Sequence, residues 1–167
     1  MLGGKLRKRL EKQLEGASLV IAKAGINPNV FSSIALIWAA LAAYFIANTD
    51  MVSGLIFVML ASIWDALDGG LARVTHKVTK FGNYMDAMID RYVEVMILLG
   101  FAFAGFWIES ILVISGSLLI SYAKARTALV VPIDKHDWPA IGERFERLLL
   151  LVIALANSIF LPTINLM

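Results

Sequence analysis

Long uncharged runs alternate with short polar breaks along this chain, and the breaks carry most of the charge. Residues 1–24 set Leu2, Leu6, Leu10 and Leu14 against Lys5, Arg7, Lys8, Arg9 and Lys12. Leucines every fourth residue make one apolar stripe on a basic helix. Such a helix suits the membrane interface beside anionic lipid, or a seat on the protein itself. Gly25 to Asn29 is a break, with Asn27 placed as a cap and Pro28 as a first helical residue. Val30–Ala47 has no charge and nears the ~20 residues that a membrane span needs. After a polar turn at Asn48–Asp50, a second span runs from Met51 to about Arg73. A basic link, Thr75–Lys80, leads to a third span from about Phe81 to Ala104. A turn is expected over Gly105–Glu109, with Trp107 as an interfacial aromatic. A fourth span follows over about Ser110–Leu129, then a polar loop over Val131–Gly142. Glu143–Arg147 opens a fifth span, Leu148–Phe160, which Pro162 ends.

The pattern predicts an all-α protein, a polytopic membrane helical bundle with an N-terminal amphipathic helix. It forms one domain over 1–167, with the interfacial helix at 1–24 and the transmembrane bundle at 29–167. A mean hydropathy of +0.77 and a hydrophobic share of 59% agree with a membrane protein and exclude an ordinary soluble globule. There is no cysteine, so disulfides and thiolate metal sites are excluded. No cleavable signal peptide, internal repeat or low-complexity segment is apparent. The basic residues lie beside apolar spans, which gives no support to nucleic-acid binding. They fall at the N-terminus, over Arg73–Lys80 and over Lys124–Arg147, while the turns near 48–50 and 105–109 have none. The positive-inside rule then puts those basic segments in the cytoplasm.

Candidate chemistry is concentrated between Asp65 and Asp90. Asp65 and Asp68 are three residues apart, Asp86 and Asp90 four, so each pair shares a helix face. Two helices meeting along those faces gather four carboxylates, which a low-dielectric place tolerates only with cations. Oxygen-only ligands point to a hard ion, Mg²⁺ or Mn²⁺, and their number allows two. Glu94 continues the acidic stripe of Asp86 and Asp90; it is expected to pair with a basic side chain, with a place near the metal as the alternative.

The same stretch, D-x-x-D-G-x-x-A-R-x8-G-x3-D-x3-D, matches Asp65, Asp68, Gly69, Ala72, Arg73, Gly82, Asp86 and Asp90. It resembles the signature of the CDP-alcohol phosphatidyltransferase family of integral membrane enzymes. The resemblance implies phospholipid biosynthesis: a CDP-linked lipid gives its phosphatidyl- or archaetidyl-type group to a hydroxyl acceptor, and CMP leaves. It implies Asp65, Asp68 and Asp86 as metal ligands and Asp90 as general base, with Asp90 also open to a metal contact. Gly69, Ala72 and Gly82 are expected to let backbone or nucleotide come close, and Arg73 to clamp a phosphate. By analogy, Asn29 and Thr79 are expected at the nucleotide or its diphosphate. The stretches Ser121–Arg126 and Gly142–Arg147 are similar to those of the branch that uses inositol phosphate. Lys124, Arg126, Arg144 and Arg147 are therefore candidates for an anionic acceptor, or are topogenic charges. The family is usually described with six spans and as a homodimer; five spans are counted here. Competing readings are a CDP-inositol donor in the same family, an acceptor such as glycerol phosphate or serine, and an aspartate-lined ion carrier.

Overall fold

The computed structural model describes residues 16, 18–23, 28–75, 79–130 and 144–160. Among these residues the protein is helical, with no strand. Five long helices follow in order: α1 (Pro28–Ala47), α2 (Met51–Val74), α3 (Lys80–Phe103), α4 (Trp107–Val130) and α5 (Arg144–Phe160). Their ends fall within a few residues of those the hydrophobic pattern predicts. One boundary differs. Trp107–Glu109 starts α4, and the turn shrinks to 104–106, because Gly105 reverses the chain alone at φ +110°, a conformation open to glycine at no steric cost. At the other turn Thr49 takes φ 60° and Asp50 caps α2. The Ser53 hydroxyl and N–H both bond the exposed Asp50 carboxylate, which holds it below the ordinary carboxylate range.

Three stretches, Val30–Ala47, Met51–Leu71 and Trp107–Val130, are long and apolar enough to cross a membrane. α3 carries Asp86, Asp90, Arg91 and Glu94, and α5 opens on Arg144, Glu146 and Arg147. The protein is an all-α membrane bundle.

α1 is the centre of the packing. Ala35, Ala39, Ala42 and Ile46 recur at helical spacing and are fully buried. With small side chains on that stripe, α2 and α3 both pack closely on α1 and touch each other little. Gly100 of α3 sits so near α1 that a Cβ there would stand 2.7 Å from Ala43 Cα and 2.8 Å from its carbonyl oxygen. Beside this contact an apolar groove of about 330 Å³ runs between Ala43, Tyr44, Leu99 and Phe103. Aromatic rings join α1 to α2: Phe31 stacks on Trp64 at 4.4 Å, Trp38 meets Phe57 and Trp64, and Phe45 stacks on Phe57. α4 packs on α3, and α5 packs on α2, with Leu155 in the core.

Most of the N-terminal segment lies outside the described residues. Its described end, 18–23, is helical, and the fully buried Ser18 donates a hydrogen bond to the Leu67 carbonyl at 3.2 Å. This end of the segment is seated on α2, next to the aspartates.

Gly100→Ala is expected to cost about 1–3 kcal/mol, because backbone rather than a flexible side-chain tip stands in the way. Gly116→Ala, with nothing within 4 Å, is expected to be neutral or slightly stabilising. Thermal unfolding in detergent compares the two.

Candidate active site

The helices alternate in direction, so the end of α2 and the starts of α3 and α5 lie together. α1 keeps α2 and α3 apart, and the space between them at this end is where the carboxylates converge. Asp65, Asp68 and Asp86 each bring an oxygen to within 4.8 Å of the others. Asp68 is the buried member, at 4% exposure, and Asp86 faces the opening. Ser32 of α1, itself buried, hydrogen-bonds Asp68. Trp64, the residue before Asp65, donates its indole N–H to the Phe31 carbonyl at 2.9 Å and stacks on that ring. Two consecutive residues of α1, Phe31 and Ser32, therefore fix the stretch of α2 that carries both of its aspartates.

Asp90 lies one turn further along α3, outside the three-oxygen cluster but with its side chain against that of Asp65. Arg144 lies between it and α2. Its Nη1 donates to Asp65 Oδ2 at 2.6 Å and lies 2.6 Å from Asp90 Oδ1, a charge contact without hydrogen-bond geometry. Among the described residues, buried Asp90 Oδ1 and buried Arg144 Nε lack hydrogen-bond partners. Arg144 Nε is thus a donor left for a substrate or water to satisfy, while Asp90 Oδ1 already faces the Arg144 guanidinium. Arg91 reaches Asp90 at 3.6 Å and donates to the Ala87 carbonyl at 3.0 Å.

Three hard carboxylate oxygens converging from two helices fit a divalent ion such as Mg²⁺ or Mn²⁺ by donor chemistry. A fourth carboxylate beside them, held by a guanidinium, is placed to take or give a proton.

The other candidate residues are distributed as follows. Gly69 and Gly82 lie half-buried on α2 and α3, between Asp68 and Asp86 in sequence. Thr79 is the N-cap of α3: its hydroxyl accepts from the Gly82 N–H at 2.9 Å. Asn29, Ala72 and Arg73 lie on helical backbone, but their side chains are outside the described residues. Lys124 and Arg126 are exposed on the last turns of α4. Arg147 does not join Arg144 at the aspartates. It forks onto Glu94, with Nε at 2.6 Å and Nη2 at 2.9 Å, so the stripe's third acid has the basic partner expected for it. Ser32, Trp64 and Ser117 were not singled out from sequence. Serines and tryptophans in apolar spans carry no spacing signal, and only the packing of α1 and α4 shows what they touch.

Residues 26–166 match the model of the family described as CDP-alcohol phosphatidyltransferase. An archaetidylinositol phosphate synthase of Pyrococcus horikoshii is 37% identical over 155 residues, covering 90% of this chain and 80% of its own length. A bifunctional IPC transferase and DIPP synthase of Thermococcus kodakarensis is 27% identical, covering 92% of this chain and 37% of that protein. Among solved structures, the Mycobacterium tuberculosis phosphatidylinositol phosphate synthase with CDP-DAG bound superposes with a TM-score of 0.77 at 23% identity. That match covers 92% of this chain and 79% of the other. The same enzyme in complex with manganese and citrate gives a TM-score of 0.77 at 22% identity, over 92% and 76%.

Thr79→Val is expected to cost about 1 kcal/mol through loss of the cap, while Thr79→Ser keeps it. Thermal midpoints of the two variants in one detergent give the comparison.

Proposed function

The chain belongs to the CDP-alcohol phosphatidyltransferase family, and from that premise we propose that it moves a phosphatidyl- or archaetidyl-type group from a CDP-linked lipid to a hydroxyl of inositol phosphate. The observation that carries the reading is the division of labour among the acids. Asp65, Asp68 and Asp86 form one oxygen cluster, and Asp90 stands beside it against Arg144.

Asp65, Asp68 and Asp86 are the residues that would hold Mg²⁺ or Mn²⁺, as one ion or a pair. When bound, such ions neutralise the diphosphate and stabilise the departing phosphate. Ser32 keeps the Asp68 carboxylate turned toward the cluster. Asp90 takes the proton of the acceptor hydroxyl. The freed oxygen bonds to the lipid-side phosphorus, the phosphoanhydride bond to CMP breaks, and the electron pair leaves with CMP. Arg144 orients Asp90 and, with Nε still unbonded, offers a donor to the acceptor's phosphate. Lys124 and Arg126 extend the positive rim on α4, and Gly69, Ala72, Arg73, Gly82, Thr79 and Asn29 belong to the nucleotide side. The barrier is one of positioning and charge neutralisation, which such a constellation suits.

An anionic acceptor is favoured because Arg144 keeps Nε unbonded and Lys124 and Arg126 are exposed at the same end of the bundle. The 37% identity to a synthase named for archaetidylinositol phosphate supports the same choice. The site faces the cytoplasm in this reading, since the basic segments lie at the aspartate end. A homodimer, expected of the family, is part of it.

The test is a transfer assay in liposomes, following CMP release from CDP-diacylglycerol, CDP-archaeol or CDP-inositol. Acceptors are inositol phosphate, glycerol phosphate, serine and inositol. Metal-dependent release with inositol phosphate and a lipid donor is expected, reduced at least about a hundredfold in Asp90→Asn. Release with another acceptor, or from CDP-inositol alone, would reassign the substrate. No CMP release from any pair would sink the reading. Mn²⁺ titration by electron paramagnetic resonance is a separate check, in which Ser32→Ala is expected to weaken binding about tenfold to a hundredfold.

A further inference from the structure

One buried charge has no part in the transfer reaction. Glu94 follows Asp90 by one turn on α3 and is 3% exposed. Its carboxylate receives the two-bond fork of Arg147 from α5. Ser117 of α4, also buried, hydrogen-bonds it as well. One carboxylate therefore ties three helices together.

Such a pair is a poor device for stability alone. Desolvation of both charges offsets their attraction, and apolar residues of similar volume often hold a structure as well or better. In a bilayer the cost of a buried charge is higher still. What apolar contacts do not supply is a fixed rotation. Leu151, Val152 and Leu155 pack α5 against the core, but such contacts allow repacking with small loss. A guanidinium fork on a carboxylate is planar and directional. Arg144 precedes Arg147 by three residues, on the same face and about 4.5 Å along the axis. A rotation of α5 would carry the Arg144 guanidinium away from Asp65 and Asp90.

We propose that Glu94, Arg147 and Ser117 form a positioning pin, which sets the rotation of α5 so that Arg144 stands between Asp65 and Asp90 where the acceptor approaches. The inference rests on the transfer reaction above and assigns Arg147 a role different from acceptor binding. Arg147 and Glu94 act through Arg144 and do not touch substrate.

The test uses the full chain and the double variant Glu94→Leu with Arg147→Met, which removes the pin without leaving a lone buried charge. Expected is a folded protein with a thermal midpoint near that of the parent. Its KM for CDP-diacylglycerol is unchanged, and its KM for the acceptor is raised about tenfold or more. Arg147→Lys, which keeps the charge and loses the fork, is expected to fall between. Since the chain has no cysteine, spin labels at cysteines introduced for exposed Leu99 and Leu150, in labelled chains diluted with an excess of unlabelled chain, report the α3–α5 distance within one protomer. The distribution is expected to be narrow in the parent and broad in the double variant. An unchanged acceptor KM in the double variant overturns the pin, whatever the label distances do. If the double variant does not fold, Arg147→Lys decides: a raised acceptor KM at constant donor KM supports the pin, and two unchanged values overturn it. Should the parent transfer to no acceptor, the proposed reaction fails separately. The label distances then judge the pin, which unbroadened distances in a folded variant overturn.

Discussion

Charge compensation at one end of an apolar bundle is the constraint on which this structure depends. Asp65, Asp68, Asp86 and Asp90 lie close together on neighbouring helices, from buried Asp68 to exposed Asp86, where mutual repulsion is strong. Arg144 supplies one counter-charge and shares it between Asp65 of α2 and Asp90 of α3. The remaining carboxylates keep their oxygens turned toward a common point, which suits them to receive a cation rather than repel a helix. Everything nearby serves that arrangement. Ser32 and Phe31 hold α2 from one side, Thr79 starts α3 at the right residue, and Glu94 engages α5 through Arg147. Had the four acids been spread along the membrane depth, a conduction path would fit them better. Gathered at one end, they favour a nucleotide and its diphosphate.

Much of this was legible in the sequence, for reasons that differ by element. The helix limits were readable because each turn carries polar or left-handed residues, Asn48 to Asp50 and Gly105, between long apolar runs. The four aspartates were readable because three- and four-residue spacings survive into any helix. The exception at Trp107 shows the limit: one glycine can complete a turn that composition spreads over five residues. Partners across helices were beyond reach. Nothing in the spacing of Arg144 and Arg147 says that one meets Asp65 and Asp90 while the other forks onto Glu94. Ser32 and Ser117 are ordinary residues in apolar spans until α1 and α4 are packed. Packing partners are set by helix rotation, and the hydrophobic pattern of an apolar helix encodes rotation weakly, since every face is greasy.

The contact between Gly100 and Ala43 has a mechanical consequence. It lies near the far ends of α1 and α3, ten residues from Asp90 along α3, a span of about 15 Å. At that point the two backbones touch with no side chain between them. A tilt of α3 about this close contact would carry Asp86 and Asp90 with it. A degree or two of such tilt moves those carboxylates by fractions of an ångström, the scale on which oxygen clusters gain or lose their fit to an ion. The spacing of the chemistry at one face of the membrane is in this sense gauged at the other.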